Sequence, residues 1–264
     1  MMRPHARRPP AKKRFGQHFL EPVWVNKLVR AIGPRADEDF IEIGAGHGAL
    51  TWPLAERTRR VTAFEIDEDL APGLRARAPG NVTVVAGDFL EQVFSDLDLQ
   101  EFGQVRVAAN LPYNVAAPIL FRLLDLATRG LRIGDATVML QREVADRLIA
   151  PPGSREYGVL SVLVQHQADV ERLLALPPGA FRPSPKVQSA VVRLRFHPPQ
   201  PPVSDRRVFR GIVQSVFTRR RKTMSNAIRA YGEKATLPAW LDGSRRPETL
   251  SVAEFARLAD DFAT

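Results

Sequence analysis

The amino-acid sequence predicts an α/β fold: a largely parallel sheet with helices on both faces, followed by a small C-terminal helical domain. Three observations carry this reading. Short apolar, β-rich runs alternate with stretches of helical periodicity between Phe40 and Ile149, and such alternation implies a parallel sheet with crossover helices. The first run passes straight into a glycine-rich turn, Gly44-Ala-Gly-His-Gly48. The stretch His197-Pro-Pro-Gln-Pro-Pro-Val203 then breaks the pattern, because consecutive prolines favour extended backbone and cannot continue a sheet.

The elements follow in order. Residues 1–14 are basic and proline-rich and read as a flexible arm. Trp24–Ile32 has helical periodicity. Strands are expected at Phe40–Ile43, Val61–Phe64, Val82–Ala86, Val105–Ala109 and Ala136–Leu140, with helices at Leu50–Arg57, Glu68–Ala78, Ala116–Thr128 and Arg142–Ile149. Tyr157–Gln167 reads as a helix, and Asp169–Leu176 with Val187–Phe196 as a closing antiparallel pair. Beyond the prolines, Asp205–Phe217, Lys222–Tyr231 and Val252–Phe262 read as helices, the last opened by a Ser251…Glu254 capping box. The expected domains are a basic arm at 1–14, a catalytic sheet domain at 15–197 and a helical domain at 203–264.

Composition narrows the function classes. The chain has 264 residues, 44% of them hydrophobic, enough for one large domain and a small one. No apolar run approaches the ~20 residues needed to cross a bilayer, and the N-terminus lacks the apolar stretch of a secretory signal, so a cytoplasmic protein is expected. The absence of cysteine excludes disulfides and thiol chemistry. The five histidines never fall at helix-ligand spacing, so no metal site is expected. A net charge of +9 favours polyanions such as nucleic acid, and an acidic membrane surface equally, on charge alone.

The glycine turn lets a ligand approach backbone where any Cβ would collide, which nominates Gly44, Gly46 and Gly48. Glu65 ends the second strand, where a carboxylate can accept from both hydroxyls of a ribose. Asp88 follows the third strand and could accept from an adenine amino group, and Asn110 ends the fourth. All four places lie at the carboxyl ends of successive strands, where open α/β sheets bind ligands. A nicotinamide dinucleotide would suit these features as well as other nucleoside cofactors.

Asn110-Leu-Pro-Tyr113 makes the choice. The lone pair of an exocyclic amine is delocalised into its ring, so the nitrogen is a poor nucleophile. A side-chain amide oxygen and a backbone carbonyl that both accept from the amine draw that lone pair out of conjugation. Asn110 supplies the first acceptor. Leu111 supplies the second, because Pro112 holds the preceding residue extended. Tyr113 offers an aromatic face to an extracted base. Positioning then carries most of the catalysis.

In order, Arg14-Phe-Gly-Gln-His-Phe-Leu20, Glu42-Ile-Gly-Ala-Gly-His-Gly48, Phe64-Glu-Ile-Asp67, Asn110-Leu-Pro-Tyr113, Phe181-Arg-Pro-Ser-Pro-Lys-Val-Gln-Ser189 and Phe217-Thr-Arg-Arg-Arg-Lys-Thr223 make the chain resemble the KsgA family, the adenine dimethyltransferases of small-subunit ribosomal RNA. The similarity covers nearly everything after the arm. It implies a Rossmann-like S-adenosylmethionine-dependent methyltransferase that dimethylates N6 of two adjacent adenines near the 3′ end of 16S rRNA during ribosome biogenesis. It implies a cofactor site of His18, Leu20, Gly44, Glu65, Asp88 and Asn110, with Phe181 closing the base pocket opposite Tyr113. Relatives usually carry Asn where this chain has His18, and often a small hydroxyl residue where it has Ala117.

The run Arg219-Arg-Arg-Lys222 between two C-terminal helices would be a solvated face in most proteins. Beside a base-modifying site it reads as a phosphate track. A monomer acting on the small-subunit rRNA or its pre-30S particle is expected, with recognition through RNA shape and splayed adenines. Three alternatives remain open at this point: a large-subunit rRNA adenine methyltransferase, a nucleic-acid-binding factor that keeps the fold without its catalysis, and a DNA adenine methyltransferase.

Overall fold

A computed structural model describes Lys12, residues 17–92 and residues 103–263. The expected arm therefore lies outside the described residues except at Lys12. Its ammonium is 2.5 Å from both Asp67 and Asp69, so that point of the arm is anchored.

The sheet elements are β1 (Phe19–Leu20), β2 (Asp39–Ile43), β3 (Arg60–Glu65), β4 (Val82–Ala86), β5 (Val105–Asn110), β6 (Ile133–Gln141), β7 (Ala168–Leu176), β8 (Phe181–Arg182) and β9 (Ser189–Phe196). Seven of them form one sheet in the order β4-β3-β2-β5-β6-β9-β7. The pairs β4–β3, β3–β2, β2–β5 and β5–β6 are parallel. The chain winds outward from β2 to β4 and then returns to β5 on the other side, which makes the β2/β5 junction the switch point of the topology. In register, Ile43 faces Phe64 on one side and Ala109 on the other. The strand ends carrying Gly44, Glu65 and Asn110 are thereby brought to one edge. Every residue of β2 is buried, as a central strand covered on both faces requires.

Helices α1 (Pro22–Ile32), α2 (Thr51–Ala55), α3 (Ala71–Arg75) and α4 (Ala116–Thr128) belong to this region. Helix α1 turns Val25, Leu28, Val29 and Ile32 inward, the i, i+3, i+4, i+7 spacing of a single apolar stripe. Helix α3 is a remnant of the expected Glu68–Ala78. Pro72 lies in its first turn and bars the helix from starting as early as Glu68, because its ring would clash with the carbonyl four residues before it.

The chain forms two compact units, residues 1–142 with 172–194 and residues 143–171 with 195–264. The division does not follow the prolines alone, because residues 143–171 group with the C-terminal helices and not with the sheet domain expected at 15–197. The second unit contains α5 (Arg142–Ile149, from its second residue), α6 (Val159–Gln165), α7 (Arg206–Thr218), α8 (Met224–Ala227) and α9 (Val252–Ala263). Asp205 caps α7 by accepting from the amides of Arg207 and Val208. The Ser251–Glu254 capping box forms at α9 with distances of 2.7 and 3.2 Å. The interior of this unit is aromatic: Tyr157 meets Phe217 edge-on at 6.2 Å, and Phe217 lies 5.8 Å from Phe255.

Candidate active site

A cleft opens at the switch point, lined by Leu20, Glu42, Gly46, Glu65, Asn110 and Tyr113 among others. A second hollow shares Gly44, Ile66 and Pro112 with it and continues to Asp88, Phe89 and Ile119. All the residues proposed for the cofactor therefore border one continuous strip along the carboxyl edge of the sheet.

Gly44, Gly46 and Gly48 have φ of +78°, +58° and +85°, a left-handed region costly for other residues. A Cβ on Gly46 would also sit 3.1 Å from the Phe19 ring. The turn points its amides inward. Gly46 N–H donates to Glu65 Oε2 at 2.6 Å, and Asp67 N–H donates to Oε1 at 2.8 Å. Glu65 is thus fixed by backbone donors on both oxygens. Burial pushes its pKa up from the ordinary carboxylate range, against the backbone hydrogen bonds that pull it down. Asp88 accepts from its neighbour Leu90 N–H at 2.9 Å through Oδ1.

Asn110 terminates β5. Its Nδ2 donates to the backbone carbonyl of His18 at 2.9 Å, which fixes the amide orientation and leaves Oδ1 as the acceptor. The Leu111 amide is spent on the Met139 carbonyl at 3.0 Å, holding the chain extended into Pro112. The Tyr113 hydroxyl lies 2.7 Å from Ser189 Oγ. Burial pushes its pKa above the usual tyrosine value, while Ser189 works the other way, so the phenol is neutral at physiological pH.

The structure departs from expectation around His18. Its backbone lies in the cofactor cleft, but its imidazole turns to Tyr113, stacking at 5.5 Å and 27°. Phe181 is 1% exposed and belongs to the hydrophobic core, with the His18 ring edge-on at 6.5 Å. It presents no open face to a base in this state. The cause is a two-residue ribbon invisible in the sequence: β1 pairs antiparallel with β8, Phe19 facing Arg182 and Leu20 facing Phe181.

The family model described as "Ribosomal RNA adenine dimethylase" matches residues 9–263. The chain belongs to this family. It is 44% identical over 256 residues to ribosomal RNA small subunit methyltransferase A of Xanthomonas oryzae pv. oryzae, covering 95% of this chain and 96% of that one. A dimethyladenosine transferase from Plasmodium falciparum superposes with a TM-score of 0.74 at 22% identity, over 93% of this chain and 98% of that one. The 23S rRNA methyltransferase ErmE superposes at 0.66 with 24% identity, over 93% and 100%. These last two likenesses establish the fold.

Family membership leaves one cleft residue unexplained. Glu42, on β2, is 2% exposed and its Oε2 has no hydrogen-bond partner among the described residues. Burial raises its pKa from 4.5 to about 7. The Thr51 hydroxyl is near enough to pull it down, although Thr51 Oγ1 makes no hydrogen bond of ordinary geometry, and the charge of Glu65 pushes it up. Sequence reasoning missed Glu42 as a site residue.

The basic run of the second unit is heterogeneous. Arg220 pairs with Glu248 at 2.6 Å and donates to the carbonyls of Ser154 and Arg155. Arg219 donates weakly to Asn226 O at 3.3 Å. Arg221 and Lys222 are exposed, and no ion pair involves either among the described residues. Also among these residues, no cluster of three or more His, Asp or Glu could hold a metal, and no helix is long and apolar enough to cross a membrane.

Proposed function

We propose that the protein transfers methyl groups from S-adenosylmethionine to N6 of two adjacent adenines near the 3′ end of small-subunit rRNA, acting as a monomer in the cytoplasm on a pre-30S particle. The observation that carries the reading is the fixed amide of Asn110. Its Nδ2 is committed to His18 O at 2.9 Å, so Oδ1 faces the task of accepting from an amine. The relatives named as small-subunit rRNA methyltransferases supply the substrate class.

The residues present fit the cofactor. The left-handed turn at Gly44–Gly48 leaves room for it, the backbone-held Glu65 carboxylate can accept from a ribose hydroxyl, and the unpartnered Glu42 Oε2 suits a molecule bearing ammonium and sulfonium groups. Bound there, S-adenosylmethionine supplies an electrophilic methyl. The chain's own groups do the rest. Asn110 Oδ1 and the Leu111 carbonyl accept from the adenine amine and localise its lone pair, and Tyr113, held by Ser189, fixes the plane of the base. No general base is needed, because the methylated ammonium loses its proton to water after transfer. Once one methyl is attached, the amine still holds one N–H for one acceptor, so the same geometry serves a second transfer. Arg219, Arg221 and Lys222 are the candidates for phosphate contact, and Arg220 is reassigned to holding its own unit together.

The test is to map labelled methyl groups on small-subunit particles from cells lacking the protein. Label on two adjacent adenines near the 3′ end supports the reading; label confined to large-subunit RNA or DNA refutes it.

A further inference from the structure

We propose that His18 is the resident occupant of the target-base slot, an aromatic placeholder on Tyr113 that must swing away before adenine can enter. The inference rests on the adenine-methylating reading of this site. The imidazole already does what a substrate base would do there. It stacks on Tyr113 at 5.5 Å and 27°, within the offset geometry aromatic pairs prefer. Its edge meets Phe181 at 6.5 Å and 75°. Phe181 is 1% exposed, so a base reaches it only after something lying against it moves. The imidazole is the aromatic group that meets both rings.

The ring can move without the backbone. The His18 carbonyl is held by Asn110 Nδ2, and the next two residues are paired with Arg182 and Phe181. By contrast the side chain is held by the Tyr113 stack, by its edge contact with Phe181 and by one hydrogen bond, Nδ1 to the Pro183 carbonyl at 2.7 Å. A carbonyl can only accept, so Nδ1 carries the proton. Rotation about the side-chain torsions breaks those contacts and leaves Asn110 anchored where catalysis needs it. The placeholder therefore competes with the base while protecting the constellation around it. One stack and one hydrogen bond together amount to roughly a ten-fold handicap on base entry. An asparagine at 18 has no ring to stack and would not impose it.

The experiment compares wild type, His18→Asn and His18→Phe with S-adenosylmethionine and small-subunit particles. It also uses a stem-loop RNA with 2-aminopurine at one target position, whose fluorescence responds to stacking in the slot. His18→Asn should lower KM for the particle roughly ten-fold, and 2-aminopurine should enter at lower protein concentration. His18→Phe, which keeps the stack and loses the Pro183 bond, should fall between the two. A raised KM in His18→Asn, with an unchanged melting temperature, would overturn the proposal by making the ring a wall of the pocket. A changed cofactor affinity with unchanged KM would overturn it by making His18 a cofactor contact. Failure of the wild type to methylate the particle would instead sink the functional reading on which the proposal stands.

Discussion

Glu42→Gln is the substitution whose consequence the structure determines most directly. The carboxylate is 2% exposed, has one oxygen without a partner, and feels the charge of Glu65. Its pKa is raised from 4.5 to about 7. A raised carboxylate pKa means that the folded state holds its proton when the unfolded chain has released it. Stability is then unpenalised below about pH 4.5, falls as pH rises through the window between 4.5 and 7, and carries the full penalty above 7. The size of that penalty is about 3 kcal/mol. Gln is isosteric and cannot ionise. The cofactor-free variant should therefore match wild type near pH 4.5 and exceed its stability by up to about 3 kcal/mol at pH 8, roughly 6–12 °C in melting temperature. Parallel denaturation of both proteins from pH 4.5 to 8 measures this. Curves that stay parallel across the range would refute the reasoning, because they would mean that a partner neutralises the cost of ionising Glu42.

Four further outcomes follow from the geometry. Asn110→Ala removes the acceptor fixed by His18 O and should cut single-turnover methylation at least about 100-fold while leaving particle affinity nearly unchanged; rapid-quench assays with filter binding check both. Tyr113→Phe loses only the bond to Ser189 and should cost about 1 kcal/mol of stability, with activity reduced far less than in Tyr113→Ala, as steady-state kinetics on the pair would establish. Arg221→Gln should flatten the log–log salt dependence of RNA binding by about one without changing the melting temperature. Arg220→Gln should instead destabilise the protein by about 2 kcal/mol through the loss of Glu248 and two carbonyl partners. Equal salt slopes for wild type and Arg221→Gln would return that residue to a solvated face.

The strands were legible because each is a run of apolar residues ending in a chemically distinct one. Val82–Ala86 and the helix at Ala116–Thr128 match the structure to the residue, the first as β-branched residues throughout its middle, the second as an uninterrupted apolar stripe. Lys222–Tyr231, expected as one helix, instead contains the four-residue α8 and a 3₁₀ turn at Ile228–Ala230. Local periodicity did not reveal that tertiary contacts such as Met224 N–H to Arg245 O would shape its start. The domain boundary failed to follow the prolines for a related reason. Residues 143–171 look like part of the sheet's alternation, yet they bury their apolar faces among the C-terminal helices, with Tyr157 against Phe217.

The candidate site divides along the same physical line. Gly44, Glu65, Asp88 and Asn110 could be placed at one edge from sequence order alone, because a parallel sheet puts successive strand ends there. Glu42 was missed because it interrupts an apolar run, Phe40-Ile-Glu-Ile43, whose every residue is buried in the central strand β2. A carboxylate on a strand flanked by two others loses its water, and that loss raises its pKa. The stack of His18 on Tyr113 was not legible because the β1–β8 ribbon is two residues long and joins segments more than 160 positions apart. Neither periodicity nor composition can register a pairing that short. The residues placed by backbone geometry are thus written locally in the chain, while Glu42 and His18 owe their environments to the burial and pairing that the fold imposes afterwards.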